Sequence, residues 1–300
     1  MTTVIGLAPN ERGAAAVHLG SMLARSSSDD VVLATVVPTP WPPNPLRMDA
    51  AFLAHQEKAA QEALALALTQ IGPDLSVELV SHPARSVSSG LLDVARDRRA
   101  TVVALGSSST GLLGVVSLGG VAERILHSAD IPVTLAPRGF DTGTTNARIS
   151  RITVAFGRAD KDSDLLLTAA RVAADIGASL RVACFAVRPL TAAAGSIEPS
   201  AEGLVVGEWA TGLEADVRQA LHAAPGGAAT RVDVVVGRGG TWAEALTDIP
   251  WGSGEVLAVG TSSSAVSRFF LGSHASKIVR NSPVPVFLWP RAMPRPTTGG

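Results

Sequence analysis

A loop rich in glycine and serine occurs twice in the sequence, each time between an apolar run and a stretch that predicts a helix. In the first copy Gly106 ends the apolar run, serines follow, and Gly119-Gly120 begins the helix. In the second copy Gly260 precedes Ser262-Ser263-Ser264, and Gly272-Ser273 begins the helix. Unpaired N–H groups at a helix N-terminus bind anions, and glycine lets a phosphate approach the backbone. Both loops therefore predict phosphate binding.

The second loop is the better candidate on side-chain chemistry. The hydroxyl of Ser273 is predicted both to cap the helix and to donate to a phosphate oxygen, whereas Gly120 at the matching position has no hydroxyl. His274 comes next and could contact an anion, although an exposed histidine without a role is the simpler interpretation.

The sequence contains no recognisable catalytic or metal-binding arrangement. No G-x-S-x-G motif surrounds a serine, and no histidine is spaced to activate one. The six histidines are scattered without the spacing of a zinc site, and Cys184 is the sole cysteine. The loop serines are therefore predicted to satisfy backbone groups, with no catalytic residue and no metal site.

The two loops belong to a longer repeat that predicts a duplicated domain. Residues 104–110 resemble residues 258–264, and residues 131–138 resemble residues 284–291, so the offsets are 154 and 153. The segment between the halves is poor in apolar residues and rich in glycine and threonine, as in a flexible linker. The predicted organisation is a first domain at 1–138, a linker at 139–149, a second domain at 150–292 and a flexible tail at 293–300.

Within each half, short β-branched runs alternate with alanine-rich amphipathic stretches, which predicts β-α-β units around a parallel sheet. The fold class is therefore α/β, with two tandem five-stranded domains. The predicted strands are Thr3–Leu7, Val31–Val37, Ser76–Val80, Thr101–Leu105, Pro132–Ala136, Arg151–Phe156, Arg181–Val187, Arg231–Val236, Glu255–Val259 and Pro285–Trp289. The predicted helices are Glu11–Arg25, Asp49–Gln70, Ala84–Arg98, Gly120–Ser128, Asp162–Ile176, Glu202–Ala223, Thr241–Asp248 and Ser273–Asn281.

Composition narrows the class of protein. Hydrophobic residues make up 46% of the 300 residues and charged residues 17%, which indicates a folded chain. A net charge of −1 gives no long-range attraction to nucleic acid or to anionic lipid. The N-terminus lacks a signal-peptide pattern, and the single cysteine fits a reducing cytoplasm.

The 23 uncharged residues at 100–122 are interrupted by serines and glycines, so they predict strand, loop and helix start instead of a membrane span.

Each half resembles a universal stress protein domain of the UspA type. The nucleotide loop of that family reads G-x2-G-x9-G-[ST], and Pro-Val enters its last strand. Here the first half reads Gly106-x2-Ser109-x9-Gly119-Gly120, and the second reads Gly260-x2-Ser263-x8-Gly272-Ser273. Pro132-Val133 and Pro285-Val286 match the entry to the last strand. The resemblance covers the chain except for the linker and the tails.

The resemblance implies an adenine-nucleotide α-hydrolase-like fold, ATP or AMP binding, and dimers joined through the last strands. We therefore expect the two last strands to pair within this chain as an intrachain pseudo-dimer, and assembly into a homodimer stays open. The aspartate that ATP-binding members carry after the first strand is replaced by Ala8 and Gly157. Ser109 and Ser263 replace the second glycine of the loop, where a side chain crowds a triphosphate.

The expected function is that of a cytoplasmic stress-response sensor or adaptor. It would bind ATP or AMP weakly or through one domain, act with an unidentified protein partner, and hydrolyse ATP slowly at most. The alternative is an interaction module whose loops no longer bind nucleotide. An adenylate-forming enzyme is disfavoured, because the residues after the first strand of each half lack an S-G-G-x-D-S-type loop.

Overall fold

The computed structural model describes most of both halves. The described residues are 1–8, 13–39, 48–157, 159–187, 211–212, 214–215, 217–219, 221, 232–264, 267–270 and 272–289. The predicted tail at 293–300 and most of the predicted helix Glu202–Ala223 lie outside them. Among the described residues, no helix combines the length and the apolar character that a membrane span needs.

Twelve strands and seven helices are defined within the described residues. The strands are β1 Thr2–Leu7, β2 Asp30–Pro38, β3 Val77–Ala84, β4 Val102–Gly106, β5 Val133–Ala136, β6 Arg151–Ala155, β7 Ser179–Val187, β8 Asp233–Gly239, β9 Glu255–Gly260, β10 Ser262–Ser264, β11 Ser267–Phe270 and β12 Val286–Trp289. The helices are α1 Ala14–Ser27, α2 Met48–Leu68, α3 Val87–Asp97, α4 Gly120–Ser128, α5 Ala159–Ile176, α6 Trp242–Thr247 and α7 Ser273–Asn281. The described residues of 211–221 are also helical.

The two halves share one ten-stranded sheet in the order β3-β2-β1-β4-β5-β12-β9-β6-β7-β8. Each half contributes five strands that pair in parallel, as predicted, and the α/β class is confirmed. The strands β5 and β12 pair antiparallel and join the two five-stranded halves into this one sheet. The expected pairing of the last strands within one chain is thereby confirmed.

Helices cover both faces of the sheet, which explains the apolar character of its central strands. All seven residues at 31–37 in β2 are buried, and a strand buried on both faces reads as a continuous apolar run. Helices α1, α2 and α5 pack on one face, and α3, α4, α6 and α7 pack on the other. The carboxyl ends of the parallel strands are thereby left open at the edge where loops enter the helices.

Contacts outside the β5-β12 strand pairing also support the joint between the halves. The Thr134 hydroxyl in β5 donates to the carbonyl of Val286 in β12 at 3.1 Å. The backbone N–H of Val116 donates to the carbonyl of Ser282 at 3.1 Å. On the surface, Arg280 of α7 lies 3.0 Å from Glu123 of α4.

The segment 139–149 packs on α1. The N–H of Ile149 donates to the Ser26 hydroxyl at 2.8 Å, and Asp141 lies 2.8 Å from His18 Nδ1. The N–H of Gly143 and the nearby His18 hold the pKa of Asp141 below its ordinary value.

Candidate functional site

A cleft of about 290 Å³ opens at the carboxyl ends of β1 and β4, the neighbouring strands at which the strand order of the first half reverses. Ligands of open parallel sheets bind at such a position. Its walls are formed by Gly6, Leu7, Ala8, Gly13, Ala16, Val36, Val87, Leu91, Leu105, Gly106, Ser107, Ser108, Ser109, Gly119, Gly120, Val121 and Ala122. The four residues predicted in the first half, Gly106, Ser109, Gly119 and Gly120, are therefore brought together at one site.

The N-terminus of α4 presents its backbone to this cleft. Gly119 is the N-cap, no side chain caps the helix, and the N–H of Glu123 donates to the Gly119 carbonyl at 2.9 Å. The N–H groups of residues 120–122 precede this first helical bond and have no acceptor within the helix. A Cβ at Gly120 would meet only the Arg124 guanidinium, at 3.6 Å. The helix start is thus open to an anion.

The loop between β4 and α4 is held by its own serines. The Ser107 hydroxyl donates to the Ala136 carbonyl at 2.6 Å and accepts from the Ser117 N–H at 2.9 Å. The N–H of Ser108 donates to the Ser117 carbonyl at 2.9 Å. For Ser107, the prediction that loop serines satisfy backbone groups is confirmed.

The side of the cleft opposite α4 is apolar. Val36 is buried at the end of β2, and Leu91 of α3 is 1% exposed. Gly6 leaves no room for a side chain, because a Cβ there would lie 2.7 Å from Leu105 Cδ2 and 2.8 Å from Leu91 Cδ1. The cleft can therefore hold a ligand with an apolar or aromatic part beside an anionic part.

No ionisable side chain lines the described part of the cleft. Ala8 occupies the position after β1 where the resemblance implies an aspartate in ATP-binding proteins. Residues 9–12 beyond it lie outside the described residues. Attraction for an anion therefore comes from the backbone N–H groups and the dipole of α4, and from the Arg124 guanidinium beside Gly120.

The corresponding place in the second half has a different structure. Gly260 ends β9, and Gly272 is the N-cap of α7 without a side-chain cap. The prediction that Ser273 caps this helix is wrong, because Ser273 is its first helical residue. Ser262 and Ser263 belong to the two-stranded sheet β10-β11, which the sequence did not predict, and their side chains lie outside the described set.

Three rings lie in contact at this second place. The rings of Trp242 and His274 have centroids 5.3 Å apart, and those of Phe185 and Trp242 have centroids 6.2 Å apart. Both distances fall within the range of direct aromatic contact. His274 therefore packs against Trp242 at the start of α7.

Sequence reasoning missed the apolar wall of the first cleft. Val36 lies two residues before the end of β2, Val87 begins α3, and Leu91 lies one turn further on. No motif links them to Gly106, since only the strand order brings these segments together. The signal that could have found them is positional, because each lies at or just after the carboxyl end of a parallel strand.

Two copies of a parallel α/β unit, each with a glycine at the end of its fourth strand and a glycine-capped helix after it, define a tandem protein of the Rossmann-like α/β class. The model of the universal stress protein family matches this chain twice, at residues 1–137 and 148–290. The chain belongs to the universal stress protein family, with two family domains in tandem.

Full-length relatives agree with this assignment. The chain is 35% identical over 297 residues to universal stress protein Rv2319c of Mycobacterium tuberculosis, covering 97% of this chain and 100% of the relative. Among solved structures, a universal stress protein from Archaeoglobus fulgidus has a TM-score of 0.61 at 15% identity, covering 97% of this chain and 98% of that one. A putative universal stress protein from Pseudomonas aeruginosa has a TM-score of 0.51 at 14% identity, covering 96% and 92%. These two structures support the fold alone.

Proposed function

We propose that the first-half cleft binds an adenine nucleotide, ATP or AMP, and that the protein serves as a cytoplasmic stress-response sensor or adaptor. The observation that carries this proposal is the uncapped, glycine-flanked N-terminus of α4 facing an apolar cleft. A nucleotide has the matching chemistry, with an anionic phosphate at one end and a flat, largely apolar base at the other. The single cysteine of the sequence fits the cytoplasm.

In this proposal the phosphates bind at Gly119 and Gly120, and the base lies against Val36, Val87 and Leu91. Gly106 and Ser109 form the edge of the cleft between the two parts. Binding is expected to be weak, because Ala8 offers no carboxylate to the ribose. The Arg124 guanidinium beside Gly120 is the cation placed to approach the phosphates.

The proposed role is binding and signalling, with slow ATP hydrolysis at most. A general base must lie within hydrogen-bond reach of the attacking water. The described cleft lining supplies hydroxyl, backbone and apolar groups only. A sensor of this kind would report nucleotide levels to a partner protein through the occupied cleft.

Isothermal titration of the full chain with millimolar ATP or AMP tests the proposal. Gly106→Val should weaken binding strongly, because Gly106 lines the cleft and a side chain there takes up space beside the phosphate position. The fold should be kept, because a Cβ at Gly106 lies 3.9 Å from its nearest neighbour, Ala16. The matched control is Gly252→Val, which lies outside the cleft and whose Cβ would approach only Glu255 at 3.7 Å.

Three results would contradict the proposal in different ways. Absence of heat and of thermal stabilisation in the unmodified protein would favour the interaction module without nucleotide. Unchanged binding by Gly106→Val would locate the nucleotide elsewhere. Equal loss in Gly252→Val would indicate damage to the fold instead of the cleft.

A further inference from the structure

The strand registers determine which residues of the two halves are equivalent. Ile5 of β1 pairs with Leu33 of β2, and Val154 of β6 pairs with Val182 of β7. On the other side, Ile5 and Val154 each pair with an alanine that lies two residues before the glycine ending the fourth strand of its half. Both halves therefore have the same register around the cleft.

Counting three residues along the second strand of each half gives the first pair of equivalent wall positions. Val36 lies three residues after Leu33, and Phe185 lies three residues after Val182. Phe185 thus stands at the end of β7 where Val36 stands at the end of β2.

Helix caps give two further pairs independently of the strands. Ser86 caps α3 by accepting from Ser89, and Thr241 caps α6 by accepting from Glu244, so Val87 and Trp242 are both first helical residues. In the same way, Gly119 and Gly272 are the N-caps of α4 and α7. Val121 and His274 are therefore both second helical residues.

The first helix of each half supplies a fourth pair. A Cβ built on Gly106 would lie nearest to Ala16, at 3.9 Å, whereas a Cβ on Gly260 would lie nearest to Leu165 Cδ2, at 3.4 Å. Leu165 is 8% exposed and is packed in the core.

At all four positions the second half has the larger side chain. The pairs are Ala16 and Leu165, Val36 and Phe185, Val87 and Trp242, and Val121 and His274. Because the rings of Phe185, Trp242 and His274 contact one another in series, no base fits between neighbouring rings.

We propose that Leu165, Phe185 and Trp242 fill the second-half cleft, with the exposed ring of His274 lying across its mouth, and that these side chains exclude nucleotide, so that each chain binds one nucleotide, in its first half. This inference rests on the proposed function. It makes these four residues, together with their smaller counterparts, the determinants of which half binds. The glycines and Ser273 at the start of α7 then face a filled cleft.

Reciprocal exchange of side chains in the full chain tests the inference, with ATP titrated by calorimetry and folding checked by circular dichroism. The closing variant, Val87→Trp with Val121→His, gives the first half the residues of the second and should abolish binding. Leu79→Trp is the matched control, because it adds the same ring on β3 outside the cleft, where Leu79 is 42% exposed. Its binding should equal that of the unmodified protein.

The opening variant combines Leu165→Ala, Phe185→Val, Trp242→Val and His274→Val, which gives the second half the side-chain sizes of the first. The expected stoichiometry rises from one ATP per chain to two. Two ATP per unmodified chain, or one ATP per chain of a folded opening variant, would overturn the inference while leaving nucleotide binding intact. If the unmodified chain binds no ATP but the opening variant does, the proposed function fails and the exclusion by the rings is supported. If neither binds, both are overturned.

Discussion

Substitution of Arg181 by methionine should destabilise the second half strongly, because it leaves a carboxylate buried without its main partner. Arg181 is 3% exposed and Glu255 is 2% exposed, and their nearest N and O atoms lie 2.5 Å apart. The guanidinium also donates to the Thr153 hydroxyl and to the Pro250 carbonyl, both at 3.1 Å. Burial lowers the pKa of Arg181, because the guanidinium loses hydration on folding.

The expected loss of unfolding free energy depends on the contacts that Glu255 keeps after Arg181 is replaced. Removing one partner of a buried ion pair costs about 3 to 5 kcal/mol, because the other charge stays buried. Glu255 keeps donors from the Thr153 hydroxyl and from the N–H of Gly252, and Arg151 lies 3.8 Å away. These remaining contacts favour the lower end of the range, so we expect Arg181→Met to cost about 3 kcal/mol of unfolding free energy.

Urea denaturation followed by circular dichroism measures this cost, and a double-mutant cycle identifies its cause. Glu255→Gln removes the buried charge, so Arg181→Met with Glu255→Gln should cost about 1 to 3 kcal/mol less than the sum of the single changes. Arg151→Met is the control, because Arg151 is 36% exposed and more distant, and it should cost less than about 1 kcal/mol.

Two results would refute the reasoning. A loss below about 1 kcal/mol for Arg181→Met would mean that Glu255 is not penalised by burial. Strict additivity of the two single substitutions would mean that the residues stabilise the fold separately and not as a pair.

Two smaller changes test other parts of the fold. Hydrogen bonds from Arg25 hold the pKa of Asp74 below its ordinary value, so the unfolded chain takes up the proton first. The stabilisation by the pair is fully present above about pH 4 and is lost as the pH falls further, through the lowered pKa of Asp74. Asp74→Asn should therefore lose less unfolding free energy than the unmodified protein as the pH falls below about 4, as measured by urea denaturation at successive pH values. An equal loss of unfolding free energy at low pH in both proteins would contradict this. At Gly237, a Cβ would lie 2.0 Å from the Ala245 carbonyl oxygen, so Gly237→Ala should cost about 1 to 3 kcal/mol, and an unaltered melting temperature would contradict the steric reasoning.

The sequence predicted the elements whose causes are local. The helix over Ser273–Asn281 was predicted with the same bounds as the structure, because Gly272-Ser273 indicates a helix start and an amphipathic stretch follows. The pattern of alternating strands and helices likewise predicted the parallel order within each half. Gly119 and Gly120 were predicted at a helix start for the same local reason.

The parts that the sequence did not predict depend on contacts between distant segments. The Val36 and Leu91 wall arises from the order β2-β1-β4, which no short motif encodes. The β10-β11 pairing was missed because serine-rich stretches predict loops as readily as strands. The second loop was predicted to be the better phosphate site because of the Ser273 hydroxyl. Nothing in the sequence indicated that the ring of Trp242, from a segment about 30 residues earlier, packs against His274 at the same helix start.

Because the two copies are joined in one chain, a substitution in one copy leaves the sequence of the other copy unchanged. In a symmetric homodimer both sites have the same residues, so a side chain that closes one site closes the other. Here the antiparallel pairing of β5 with β12 builds the equivalent of that dimer from two different segments. The cleft of one copy is then free to change while the joint is kept. Different side chains at the equivalent positions Val87 and Trp242, with the β5-β12 pairing intact, are what the proposal of one binding site per chain predicts.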